Sequence, residues 1–305
     1  MGQHSGTDNR NLPKKISLML KKLRHSSFAK HTIWAFGGQI SFLLANFLLF
    51  VILVNQVSKE VYGTWALYIT FISIADSFRQ GMVQNGLARL MAAQPDNHGL
   101  KVTGTALNYG IISILGLVLA FIPSYFTKDL ALIEILHHGW KGLLVLGTMM
   151  VIGTFCQSKQ RFKTYFFVNL IYLITFVAIL LWARAVLQVI SLVQIINFQL
   201  ISLLPAALYY LTQTKIHWAK PQKSNLIQLL NFGKYASGTN LLSMLFHKAD
   251  IIMIAFFLDP VAVALYHFAT KIMNYAELPL HALSQVIYPR ITASYRTASI
   301  RALRK

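Results

Sequence analysis

The chain has 305 residues, of which 55% are hydrophobic and only 12% are charged. Soluble domains carry about 25% charged residues, so the composition excludes an ordinary soluble protein and indicates an all-α, polytopic integral membrane protein. The net charge of +19 would favour nucleic acid in a soluble chain, but here the basic residues cluster between apolar runs. That pattern indicates membrane topology and contact with anionic lipid headgroups, with no nucleic-acid partner.

The chain begins with a basic amphipathic arm, residues 1–30, which we expect to lie on a negatively charged leaflet. About eight apolar runs follow, most of them close to the 20 residues that a helix needs to cross a bilayer. They cover residues 33–54, 62–87, 102–122, 140–156, 165–182, 187–211, 235–258 and 261–287.

Loop composition divides these runs into units. Residues 31–211 form a first six-helix bundle and residues 212–234 a basic cytoplasmic linker, with a short interfacial helix predicted at 225–232. Residues 235–287 supply the first two helices of an incomplete second bundle, and residues 288–305 form a basic cytoplasmic tail.

The distribution of basic residues predicts the orientation. With the N-terminus inside, 21 of the 28 Lys and Arg residues fall on the cytoplasmic side, four fall outside and three lie within spans. Because cytoplasmic loops carry an excess of Lys and Arg, both termini are predicted to be cytoplasmic.

Charged and polar residues at membrane depth are the candidates for a substrate cavity, because burying them is costly unless they have a role. Asp76 and Arg79 are three residues apart and can pair on one helix face. Lys248 and Lys271 are out of register with nearby acids, which favours them as cavity cations. The polar amides suit either sugar hydroxyls or helix–helix hydrogen bonds. The candidates are Asp76, Arg79, Gln84, Asn85, Lys248, Asp250, Lys271, Asn274 and Glu277.

Other functional signals are weak. Cys156 is the only cysteine, and the ten histidines lack metal-ligand spacing, so no metal site is predicted. No nucleophile elbow, P-loop or dinucleotide motif is present, so we expect no cofactor, no ATP and no enzymatic activity. Aromatic residues near span ends, Tyr62 among them, are predicted to anchor at the interface. Tyr62 and Tyr266 also occupy equivalent places in a weak internal repeat.

Four stretches carry a family resemblance. They are WAFGGQISFLLANFLLFVILVNQVSKEVYGTWALY, IADSFRQGMVQNGLAR, LLNFGKYASGTNLLSMLFHKADIIMIAFFLDPVAVALYHFATKI and ELPLHALSQVIYPRI. On these stretches the chain resembles the oligosaccharide flippases, the Wzx-like polysaccharide transporters of the multidrug/oligosaccharidyl-lipid/polysaccharide exporter superfamily.

The resemblance implies two six-helix bundles around a central cavity in the bacterial cytoplasmic membrane. It implies alternating-access transport of an undecaprenyl-diphosphate-linked oligosaccharide for surface polysaccharide such as O-antigen. Since this chain ends after two helices of the second bundle, we expect a truncated flippase, one completed by self-association or another chain, or a non-functional remnant.

Two other functions stay open. An ion-coupled multidrug-type exporter would use Asp76, Asp250 and Glu277, with H⁺ or Na⁺ as the coupling ion. A membrane-embedded glycan polymerase or acyltransferase is the least supported, because residues 124–138, the longest external segment, carry no cluster of catalytic residue types.

Overall fold

The computed structural model describes residues 27–94, 96–121, 125, 129–186, 191–214 and 219–274. Within these ranges every regular element is a helix, and the all-α prediction is confirmed. Three predicted features lie outside the described residues: most of the amphipathic arm, the end of the eighth apolar run with Glu277, and the basic tail.

Ten helices make up the described chain. A π-helical turn, Gln80–Gln84, joins the second helix to the third without a break. The helices are α1 (Ser27–Gln56), α2 (Lys59–Arg79), α3 (Asn85–Ala93), α4 (His98–Phe121), α5 (Leu130–His137), α6 (Gly139–Ser158), α7 (Phe162–Val186), α8 (Leu192–Gln213), α9 (Lys223–Phe257) and α10 (260–274).

Five of these helices, α4, α6, α7, α8 and α9, are long and apolar enough to cross a membrane. The protein is therefore a multi-pass membrane protein by the length and composition of its helices. Helix α1 contains a shorter apolar segment, Leu43–Asn55, and α2 carries four charged residues. Spans through α1, through α2 with α3, and through α10 stay predictions.

One local prediction is wrong. The interfacial helix expected at 225–232 is the beginning of α9, which runs for 35 residues without interruption. The connection at 124–138 contains a further helix, α5. Asp129 caps that helix by accepting from the backbone N–H groups of Ala131 and Leu132. A short polar N-cap before an apolar segment is the signal that identifies such a helix.

The main core lies among α1, α2, α4, α5, α6, α7, α8 and α10. Its fully buried members include Leu53, Tyr68, Leu143, Phe176 and Ile196. A smaller cluster lies between α3, α4 and α9 and includes Leu87, Leu100 and Leu229. Through this second cluster α9 rests on the first bundle.

Backbone contact brings α9 against the π-helical turn. A Cβ atom at Gly81 would overlap Cα of Ser237, and a Cβ atom at Gly233 would overlap the carbonyl oxygen of Met82. Apolar burial does not drive helix association in lipid, so small residues that let backbones approach are important there. These two glycines therefore set the position of α9 relative to α2 and α3.

Candidate functional site

The polar residues of α2 form a buried network beside the π-helical turn. Nε of Arg79 donates to Oδ1 of Asp76 at 2.7 Å, and Nε2 of Gln80 donates to Oδ2 at 2.6 Å. From α4, Asn108 accepts a hydrogen bond from Nη1 of Arg79 at 2.8 Å. The pairing that the three-residue spacing allowed for Asp76 and Arg79 is therefore present.

Three buried polar atoms in this region have no hydrogen-bond partner among the described residues. They are Nη2 of Arg79, Nδ2 of Asn108 and Oε1 of Gln84. Buried groups of this kind are ordinarily satisfied by ordered water, so we expect water molecules between α2, α4 and α6. Arg79 itself has no exposed surface. The geometry therefore favours a structural role for the pair over direct contact with a substrate.

A second polar group lies between α9 and α10, and we call it the α9–α10 basic cluster: Lys248, His267 and Lys271. Both lysines are half-buried, whereas His267 is only 4% exposed. Lys248 and Lys271 lie close enough to interact electrostatically with each other and with His267. Neither lysine forms an ion pair within the described residues. The cluster thus gathers positive charge at predicted membrane depth.

Tyr62 belongs to the wall of this cluster, and the prediction that it anchors at the membrane interface is wrong. It is 5% exposed, and its hydroxyl lies 2.8 Å from Nδ1 of His267. Phe50 packs beside it, with its ring centroid 6.3 Å from Tyr62 and 5.7 Å from Phe268. Helices α1, α2 and α10 therefore supply an aromatic surface next to the basic residues.

The remaining predicted residues are scattered. Asp250 is exposed and accepts a hydrogen bond from the hydroxyl of Tyr266 at 2.6 Å. Asn85 and Asn274 are exposed, and Gln84 is half-buried with its amide nitrogen 3.4 Å from Sδ of Met150. The structure brings Lys248 and Lys271 together but unites neither with Asp76 or Arg79.

Sequence reasoning missed the residues that join helices across the fold. Asn108 is a single amide in an otherwise apolar stretch of α4. Because burying an amide without a hydrogen-bond partner is costly, this position indicates that Asn108 has such a partner. His267 offered a similar signal. The partners could not be read from spacing, because Tyr62 and His267 are 205 positions apart. Among the described residues, no group of three or more His, Cys, Asp or Glu side chains could hold a metal ion.

Comparison with known families identifies the class of protein. The polysaccharide biosynthesis protein family matches residues 28–294, which is most of the chain. No curated protein and no solved structure matches this chain. The match covers the ten labelled helices apart from the first residue of α1, and it confirms the resemblance that the four stretches carry. The chain therefore belongs to the polysaccharide biosynthesis protein family.

Proposed function

We propose that this chain is a transporter, or part of one, for a lipid-linked oligosaccharide. The substrate is an undecaprenyl-diphosphate-linked repeat unit, moved across the bacterial cytoplasmic membrane by alternating access. Membership of the polysaccharide biosynthesis family supports a role in polysaccharide export. Anionic lipids at the basic loops, and H⁺ or Na⁺ as the coupling ion, belong to the same proposal.

The observation that carries the proposal is the charge of the α9–α10 basic cluster. A diphosphate needs cations or aligned dipoles to enter an apolar slab, and charge-assisted hydrogen bonds to phosphate are strong. Lys248 and Lys271 are both half-buried and lack an acidic partner within the described chain. Lysine acts as a phosphate binder through its compact point charge. These two side chains are the proposed diphosphate contacts.

The aromatic wall suits the remainder of the substrate. Sugar rings present apolar C–H faces that pack against aromatic side chains, while their hydroxyls need hydrogen-bond partners. Phe268, which is 38% exposed, and the half-buried Phe50 provide ring surface beside the cluster. A site of this type combines apolar walls with a few polar groups, as small-molecule sites usually do.

The structure does not favour an exporter of organic cations. That function needs carboxylates available at membrane depth, but both oxygens of Asp76 accept hydrogen bonds from Arg79 and Gln80. The positive charge of the α9–α10 basic cluster would repel a cationic substrate.

The test is complementation in a strain whose own copy of this gene has been deleted. The variant Lys248→Gln/Lys271→Gln keeps a polar side chain at both positions but removes both charges. We expect surface glycan to fall at least tenfold and the lipid-linked precursor to accumulate, since the diphosphate loses its charge partners. Glycan is measured by gel staining and the precursor by mass spectrometry of extracted lipids.

The matched control is Lys223→Gln, which removes a lysine from the exposed beginning of α9. When all variants are present in the membrane in equal amounts, Lys223→Gln should give the same amount of surface glycan as the parent chain. Normal glycan in the double variant would remove the proposed role of the two lysines.

A further inference from the structure

A cavity of about 670 Å³ lies at one end of the first bundle, between α4, α6 and α8. Along α4 its lining runs from His98 to Tyr109, which corresponds to about 16 Å at 1.5 Å per residue. None of the α9–α10 basic cluster residues lines it. Its volume falls within the range of roughly 300–1,000 Å³ that small-molecule sites occupy.

Basic side chains concentrate at the loop end of this cavity. Lys101, Lys159 and Arg161 all line it, and Lys101 interacts electrostatically with the other two. Within the described residues, one carboxylate approaches these cations. Oδ1 of Asp96 lies 2.6 Å from Nζ of Lys159. The hydrogen bond from Lys159 holds the pKa of this carboxyl below its usual range, so Asp96 is ionised near neutral pH. Three cations against one carboxylate leave an excess of positive charge.

The existing partners of these cations leave them able to bind a ligand. Asp96 is highly exposed, and exposed ion pairs of this type contribute at most about 1 kcal/mol. Arg161 donates through Nη1 to the backbone carbonyl of Gln213 at 3.1 Å, and within the described residues its other N–H groups are left for a further acceptor. An anion at this point would relieve the repulsion between Lys101 and Lys159.

The interior of the cavity has a different character. Apolar side chains from α6 and α8, including Val151, Ile152, Phe155 and Ala207, line it beyond the basic end. Tyr109 and Thr148 lie in the same lining and hydrogen-bond to each other at 3.1 Å. The cavity therefore passes from strongly basic to mainly apolar over its length.

We propose that this cavity binds an anionic amphiphile, with a phosphate group held by Lys101, Lys159 and Arg161 and an apolar chain lying between α4, α6 and α8. Basic pockets between membrane helices on the cytoplasmic side bind phosphate-bearing lipid headgroups through the same electrostatic attraction. The site is distinct from the α9–α10 basic cluster and does not depend on the transport proposal. A resident lipid here would tie the ends of three helices together.

The experiment measures binding of a fluorescent short-chain phosphatidylglycerol to the purified full chain in neutral detergent, by fluorescence anisotropy. The variant Lys101→Gln/Arg161→Gln should weaken binding at least fivefold, because two of three cations are lost. The variant Asp96→Asn should strengthen binding several-fold, because it removes the competing carboxylate and frees Lys159. A gain in affinity cannot come from misfolding, so this variant keeps the test informative.

Lys163→Gln is the matched control, since Lys163 is exposed, belongs to the same loop end and does not line the cavity. It should leave the affinity within twofold of the parent chain. Equal affinity of the parent and the Lys101→Gln/Arg161→Gln variant would overturn the proposal, and so would weaker binding to Asp96→Asn.

Two competitors identify the source of the phosphate group. If short-chain phosphatidylglycerol displaces the probe and inorganic phosphate does not, the ligand is a lipid. If inorganic phosphate at millimolar concentration displaces the probe equally well, the basic end binds soluble phosphate compounds and the apolar chain contributes nothing to binding. That result would overturn the proposal that the cavity binds an amphiphile. Short-chain phosphatidylcholine should compete poorly because it has no net charge.

Discussion

Arg79 and Asp76 stabilise each other inside the first bundle, and neither has another ion-pair partner among the described residues. Arg79→Met leaves the carboxylate with only its hydrogen bond from Gln80, and breaking a buried pair typically costs about 3–5 kcal/mol. Replacing both members with apolar residues is often close to neutral. We therefore expect Arg79→Met to lower the Tm of the detergent-purified protein clearly, and Asp76→Leu/Arg79→Met to recover most of that loss. If the double variant has a Tm as low as that of Arg79→Met, the unpaired Asp76 carboxylate is not the main cause of the lost stability.

The same residues show what spacing can predict at this scale. Asp76 and Arg79 lie on one helix three positions apart, so their pairing follows from helix geometry alone. Asn108 completes the network from a helix 29 positions away, and that contact depends on how α2 and α4 pack. The sequence identified Lys248 and Lys271 as unpaired cations, but their proximity to His267 and Tyr62 required the tertiary structure.

Among the helices, the contact between α9 and the π-helical turn depends on Gly233. A Cβ atom there would overlap the backbone carbonyl of Met82, which cannot move aside as a flexible side chain could. We expect Gly233→Ala to destabilise the protein by about 1–3 kcal/mol, the usual range for overpacking, measured as a lower Tm. Gly238→Ala on the same helix is the control, because its Cβ would meet nothing within 4 Å. Since alanine is the better helix former, Gly238→Ala should leave the Tm unchanged or raise it. Equal Tm values for Gly233→Ala and Gly238→Ala would contradict the close approach of α9 to the π-helical turn.

The course of α9 also marks the limit of prediction from hydropathy. The basic and polar residues around Lys234 indicated a break between an interfacial helix and a span, but the helix continues through them. At 1.5 Å per residue its 35 residues extend about 52 Å, well beyond a hydrocarbon core of about 30 Å. Hydropathy therefore predicted the apolar part of α9 and could not reveal that the helix extends past it.

For the whole molecule, the arrangement of the loops agrees with their predicted alternation between two sides. The Asp96–Lys159 contact and the Arg161–Gln213 contact bring three basic loop regions together at one end. Lys59 begins α2 at the other end, where Gly63 meets the carbonyl oxygen of Pro260. The fold thus separates the loops predicted to be cytoplasmic from those predicted to be external.

Cysteine labelling in intact cells tests which end faces the cytoplasm. In a Cys156→Ser background, Lys59→Cys and Lys163→Cys each place one exposed thiol, at opposite ends of the bundle. Because cytoplasmic loops retain Lys and Arg, a charged, membrane-impermeant maleimide should label Lys59→Cys in intact cells and Lys163→Cys only after permeabilisation. The reverse pattern would invert the topology and place the basic end of the α4–α6–α8 cavity outside. Labelling of both thiols in intact cells would contradict their separation by the bilayer, on which the transport proposal depends.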